Sequence, residues 1–258
     1  MAERSWWHGQ LLGIDLETTG VRRHGDVPVS FALVRVAAGR VVERRLALVD
    51  PERPIPPAAT AVHGITTERA RRDGLPLRAA VELLAEELLE AADRGVPVVG
   101  MNLAYDLSLV DHQLRACTGT GLAEAGWRGP ALDVLVLDRH LDRRRPGGRR
   151  LVHLCEHYGV ALTAAHEAGA DAEAAVLVLL ALCDRFPVLT ATGLAELTEQ
   201  QAAWHRAWVE RAAAARALDG GAPPAADEGD WPLARPAVPA PVAPVLPPDR
   251  AAVAAPAV

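Results

Sequence analysis

Two β-branched runs, Val27 to Val36 and Val41 to Val49, meet across only Ala37-Ala38-Gly39-Arg40, and that spacing leaves little choice of connection. A connector this short closes a hairpin, because a parallel crossover needs a dozen or more residues. A further apolar run, Leu11 to Ile14, leads into Asp15-Leu16-Glu17 and stops at Thr18-Thr19-Gly20, as a strand ending in a turn does. Three consecutive strands imply an antiparallel start to a sheet. The prolines between Pro51 and Pro57 lack the N–H donors a ladder requires, so the chain leaves the sheet there.

Beyond the prolines the apolar period lengthens. Thr66 is placed to cap a short helix, and Leu75 to Arg94 carries Val81, Leu84, Ala85, Leu88 and Leu89 at helical spacing before Gly95. Val96 to Met101 reads as a buried strand, and Asp106 to Ala116 as a helix with Leu107, Val110 and Leu114 inward. Ala131 to Leu135 is another short strand, followed by helices over Leu137 to Asp142, Arg149 to Tyr158 and Asp171 to Arg185. The pattern predicts an α/β fold with an antiparallel portion over residues 1–190. Residues 191–220 form a helical extension whose Trp204 and Trp208, one turn apart, dock on the main body. Residues 221–258 are dominated by proline and alanine, which predicts a disordered tail interrupted at Trp231-Pro232-Leu233.

Half of the residues are hydrophobic, enough for a sizeable core, yet the net charge of -6 provides no global field to attract a polyanion. Nucleic-acid binding then needs a local patch, for which the run Arg143, Arg144, Arg145, Arg149 and Arg150 is a candidate, against the plainer reading of a solvated, mobile basic loop. Cys117, Cys155 and Cys183 are far apart and lack a CxxC pair, which argues against disulfides and zinc. With no signal peptide and no apolar stretch of membrane-spanning length, the expectation is a soluble cytoplasmic protein.

Side chains at i and i+2 of a strand share a face, so Asp15 and Glu17 converge. Two like charges at a strand end raise each other's pKa, and a hard divalent cation with oxygen ligands removes that cost. With 33 acidic residues in the chain, Asp-x-Glu alone is weak evidence; its position at the end of an apolar strand gives it weight. Asp106 and Asp171 each stand at a helix start, where an ordinary capping carboxylate is also found. His166, five residues before Asp171, has the titration range of a general base.

Taken in order, Asp15-Leu16-Glu17-Thr18-Thr19-Gly20, Asn102-Leu103-Ala104-Tyr105-Asp106 and His166 through Asp171 resemble the three motifs of a DEDD-superfamily 3′-to-5′ exonuclease of the histidine subtype. His63-Gly64-Ile65-Thr66 resembles a segment of the proofreading epsilon subunit of bacterial DNA polymerase III and its relatives. Met101 departs from the pattern, standing where relatives frequently carry histidine.

The resemblance implies an RNase H-like fold with a mixed five-stranded sheet flanked by helices. It further implies two divalent metal ions, Mg²⁺ or Mn²⁺, on Asp15, Glu17, Asp106 and Asp171, with Glu17 and His166 catalytic and His166 the general base. Leu16, Thr18 and His63 become contacts to the terminal nucleotide. The implied reaction is hydrolysis at the 3′ end of single-stranded DNA, releasing nucleoside 5′-monophosphates, with a polymerase or repair complex as partner. An RNA-trimming exoribonuclease and a non-catalytic scaffold are the rival readings.

Overall fold

The computed structural model describes residues 6–162, 167–225 and 227–234. After a short turn of 3₁₀ helix at Trp6–His8 come β1 (Gln10–Thr18), β2 (Pro28–Ala37) and β3 (Arg40–Asp50), then α1 (Pro57–His63) and α2 (Thr67–Asp73). A two-residue β4 (Leu75–Pro76) precedes α3 (Leu77–Asp93), β5 (Val98–Gly100) and α4 (Leu103–Thr118). The remainder is β6 (Ala131–Asp133), α5 (Val134–Leu141), α6 (Leu151–Tyr158), α7 (Ala168–Arg185), α8 (Pro187–Ala191) and α9 (Leu194–Leu218).

The sheet runs β4-β3-β2-β1-β5-β6. β1, β2 and β3 are antiparallel as the hairpin spacing requires, whereas β5 and β6 add in parallel beside β1. The mixed α/β architecture matches expectation, but the strand count is six, not five. The extra strand is β4, whose two residues pair with Val49 and Asp50. Leu75 also satisfies the helical spacing of the segment that follows, so periodicity alone assigns it to α3.

Helices cover both faces. On β1, Leu12, Ile14 and Leu16 pack with Leu84, Leu88 and Leu107 from α3 and α4, while Leu11 joins Val176, Leu179 and Leu182 from α7 on the other face. The cross-strand register pairs Ile14 with Leu33 and Gly13 with Val34, so β2 is buried on both sides. Gly13 allows an unusually close approach of α7. A Cβ there would lie 2.6 Å from the Ala172 carbonyl oxygen and 2.9 Å from Val176 Cγ2.

α9 seals the outer flank of β6. Gln201 is fully buried; its Oε1 accepts from the Asp133 N–H at 2.8 Å and its Nε2 donates to the Ala131 carbonyl at 3.1 Å. Trp204 stacks on His140 with ring centroids 3.8 Å apart, and the Arg139 guanidinium lies 3.4 Å over the Trp208 ring.

Two expectations are refined. Residues 227–234 form a docked strap: Trp231 is buried in the α3/α4 core, the Ala234 N–H donates to Ser108 Oγ at 2.8 Å, and Asp227 meets His24. One tryptophan supplies the apolar area that the surrounding proline and alanine cannot. Residues 235–258 lie outside the described residues. The arginine run is not wholly solvated either, since Arg145 is buried and grips Asp138 through Nε and Nη2 at 3.0 and 3.2 Å. The three cysteines are free thiols. No helix among the described residues is long and apolar enough to cross a membrane.

Candidate active site

Four carboxylates meet at the C-terminal end of β1, delivered by three elements. Asp15 and Glu17 project from one face of the strand, the face that Gly13 opens to α7. The close seating of α7 on Gly13 sets Asp171, in that helix's first turn, beside them. One ligand atom from each of Asp15, Glu17 and Asp171 falls within 4.8 Å of the others. Asp106 enters from the opposite helical layer in the first turn of α4, and its Oδ1 accepts from the Leu16 N–H at 3.2 Å.

The turn that aims Asp106 is held by Asp133, a residue that the motifs do not mark. Asp133 is almost wholly buried at the end of β6, where its two oxygens accept from the N–H groups of Asn102 and Leu103, each at 3.0 Å. Asn102 has φ +60°, a left-handed conformation that asparagine tolerates better than most residues. Tyr105, inside the second motif, donates to the Gly20 carbonyl at 2.6 Å and lies 3.0 Å from Thr18 Oγ1. Burial pushes its phenol up to about 12, so it remains a donor.

Burial and mutual repulsion dominate the electrostatics of Asp15, Glu17 and Asp106. Burial, followed by repulsion from Asp106, Asp171 and Glu17, raises Asp15 well above the ordinary carboxylate range. Burial and the neighbouring Asp171 raise Glu17 to about 7. Asp106 is also raised, chiefly by burial, although the N–H bond from Leu16 works in the other direction. Among the described residues no arginine or lysine forms an ion pair with Asp15, Glu17 or Asp106. Closely spaced oxygen donors that repel one another suit a hard divalent cation and would be costly without one.

A groove of about 610 Å³ opens beside Glu17, lined by Ser30, Leu46, His63, Arg69, Gly169 and Glu173 among others. His63 thus faces it. Burial lowers this imidazole's pKa against a backbone hydrogen bond with Thr18, and its Nδ1 accepts from the Ile65 N–H at 3.1 Å. The other two proposed nucleotide contacts are placed differently. Leu16 turns its side chain into the core, as strand alternation demands of a residue between Asp15 and Glu17. Thr18 Oγ1 donates to the Gly20 carbonyl at 2.6 Å and braces the turn. His166 lies outside the described residues.

The geometry agrees with what known proteins show. The exonuclease family model RNase_T matches residues 12–179. A DNA polymerase III subunit epsilon-like protein of Rhodobacter capsulatus is 33% identical over 185 residues, 70% of this chain and 24% of that protein. The 3′-5′ exonuclease DinG of Bacillus subtilis is 28% identical over 190 residues, 71% of this chain and 19% of that protein. This chain therefore spans about a quarter or less of those relatives. E. coli Exonuclease I, solved in complex with a dT13 oligonucleotide, superposes with a TM-score of 0.60 at 23% identity, covering 71% of this chain and 43% of the other. That likeness establishes a shared RNase H-like fold. With a family match that takes in part or all of every strand of the sheet and all four carboxylates, the chain belongs to the RNase_T exonuclease family of the DEDD superfamily.

Proposed function

We propose that this chain hydrolyses phosphodiester bonds at the 3′ end of single-stranded DNA and releases nucleoside 5′-monophosphates. The observation that carries the reading is the convergence of Asp15, Glu17 and Asp171, with Asp106 behind them, at the mouth of an open groove. Asp15, Glu17, Asp106 and Asp171 would hold two divalent cations, Mg²⁺ or Mn²⁺, whose chemistry when bound is to polarise the phosphodiester and ease ionisation of the attacking water.

The protein's own groups supply the rest. His63 lines the groove, and with its Nδ1 accepting from the Ile65 N–H the neutral ring carries its proton on Nε2, which would donate to a terminal nucleotide without a charge cost. His166 is the proposed proton acceptor, a role that fits an imidazole's ordinary pKa. The groove admits a flexible strand end, while the buried side chains beneath it exclude water from below. Two relatives bear on direction and polymer: DinG is named a 3′-5′ exonuclease, and the Exonuclease I structure holds oligothymidylate. The epsilon-like relative suggests a polymerase or repair complex as the setting.

The test is a nuclease assay on 3′-labelled and 5′-labelled single strands of DNA and RNA, with Mg²⁺ or EDTA, comparing the wild type with Asp15→Asn and His166→Ala. Metal-dependent release of mononucleotides from the DNA 3′ end, lost in both variants, is the expected result. Release from the 5′ end would sink the assignment, and cleavage of RNA alone would change the substrate.

A further inference from the structure

We infer that a second, cationic site on α5 and α9 holds the phosphodiester backbone of single-stranded nucleic acid; as an anchor for substrate, it rests on the exonuclease reading above. Arg139, Arg143, Arg149 and Arg211 surround an open recess of about 320 Å³ together with Trp208. Nothing in the overall charge of -6 predicts such a concentration of positive groups.

The local charges do not cancel. Asp138, the carboxylate that Arg149 contacts, is fully buried and also receives Arg145 and the Tyr158 hydroxyl. Arg143 and Arg211 are exposed and form no ion pair among the described residues. Both line a recess with His140, whose pKa is depressed by burial and then by these two guanidiniums, so charges from α9 and from the turn after α5 gather around one point. Arg139 lies flat on Trp208, and its Nε is buried without a partner. Stacking fixes the plane of a guanidinium that lines the recess, which suits it to bind a phosphate through its Nη groups.

A purely structural account explains part of this. The Arg139–Trp208 stack fastens α9 to α5, and Arg149 closes on Asp138. It does not explain why Arg143 and Arg211, which fasten nothing, converge on the same recess against their mutual repulsion. An anion between them removes that repulsion.

Position argues for a nucleic-acid strand as the source of the anion. α5 begins at Asp133, the carboxylate that also holds the turn carrying Asp106. Arg139 is six residues further along this helix, a rise of about 9 Å. β6 is two strands from β1 in the sheet, a lateral step of roughly 10 Å. A strand with its terminus at the carboxylates would have to cross offsets of that order to meet these arginines, on the side of the sheet order opposite the β3 groove.

The test measures binding of labelled oligothymidylate and oligouridylate in EDTA, where no turnover occurs, over a range of salt concentrations. The full chain is compared with Arg143→Ala/Arg211→Ala and with Arg143→Lys/Arg211→Lys. Both positions are exposed, and thermal melting verifies that the variants fold. The alanine pair should weaken binding about tenfold at low salt and reduce the slope of log K against log salt by about 1.4, near 0.7 for each lost phosphate contact. The lysine pair should restore most of that slope. Loss with both polymers assigns the site to the shared backbone, and loss with one adds a sugar preference to it. Unchanged affinity and slope with both polymers would overturn the proposal. If the wild type proves catalytically inert while the slope still falls, the strand site stands and the exonuclease reading fails.

Discussion

Asp138 and Asp15 are both acidic side chains set among apolar neighbours, yet they are opposites. Asp138 is fully buried and answered by two guanidiniums and a phenol; Asp15 is surrounded by three more carboxylates. The first is a negative charge the fold has neutralised. The second is a negative charge the fold has assembled and left open. An acid in an apolar setting thus signals function by what its surroundings fail to supply, and residue type alone does not distinguish the two.

The sharpest way to break this comparison is to make the same substitution at both positions. Asp15→Asn should reduce exonuclease turnover by about 10³-fold, the upper range for removal of one preorganised electrostatic group, while metal-free thermal stability rises because a repelling charge is gone. Turnover under saturating Mg²⁺ together with a melt in EDTA checks both parts. Asp138→Asn should do the reverse: it leaves two guanidiniums without a full counter-charge and costs about 3–5 kcal/mol in urea unfolding. If both variants lose stability equally, the distinction between neutralised and open charge fails.

Smaller effects refine it. Gly13→Ala forces α7 away from β1, because the new methyl would sit 2.6 Å from a backbone oxygen. The expected cost is about 1–3 kcal/mol, with a loss of turnover larger than the loss of folded protein because Asp171 moves with the helix. Calorimetry paired with turnover per folded molecule measures both. The smallest effect concerns pH. Glu17 rises from an ordinary 4.5 to about 7, so the folded metal-free protein retains a proton that the unfolded chain has already released. Stability without metal should therefore fall as pH rises from about 4.5 to 7, by a few degrees in Tm, and added Mg²⁺ should flatten that slope. A metal-free melting curve that rises through this window would count against the repulsion.

Much of this site was legible in the residues themselves. Alternation along Leu11 to Glu17 put the two acids on one face, and helix-start positions delivered Asp106 and Asp171. Asp133 was not legible, because its role depends on β6 lying parallel to β5 and meeting an N–H pair 30 and 31 residues earlier. Arg145 read as solvent-facing because its neighbours are charged, and only the fold brings Asp138 beneath it. The Trp231 strap was partly legible, since Trp231-Pro232-Leu233 stands out in a tail of proline and alanine, but only the fold brings the α3/α4 core beneath the ring. Leu16 carries the opposite lesson: its place between two site residues on a strand guarantees that its side chain points away from them.

Gln201 has a consequence for where this enzyme can be cut. Its carboxamide meets the outer rim of β6 as a peptide unit of a seventh strand would, one acceptor and one donor in register with the backbone. The family match ends at residue 179, well before α9. A fragment trimmed to that limit would keep all four described carboxylates and still present bare N–H and C=O groups along an open sheet margin, a surface that invites pairing with another copy. For this chain, the boundary of the chemistry and the boundary of the foldable unit are different places.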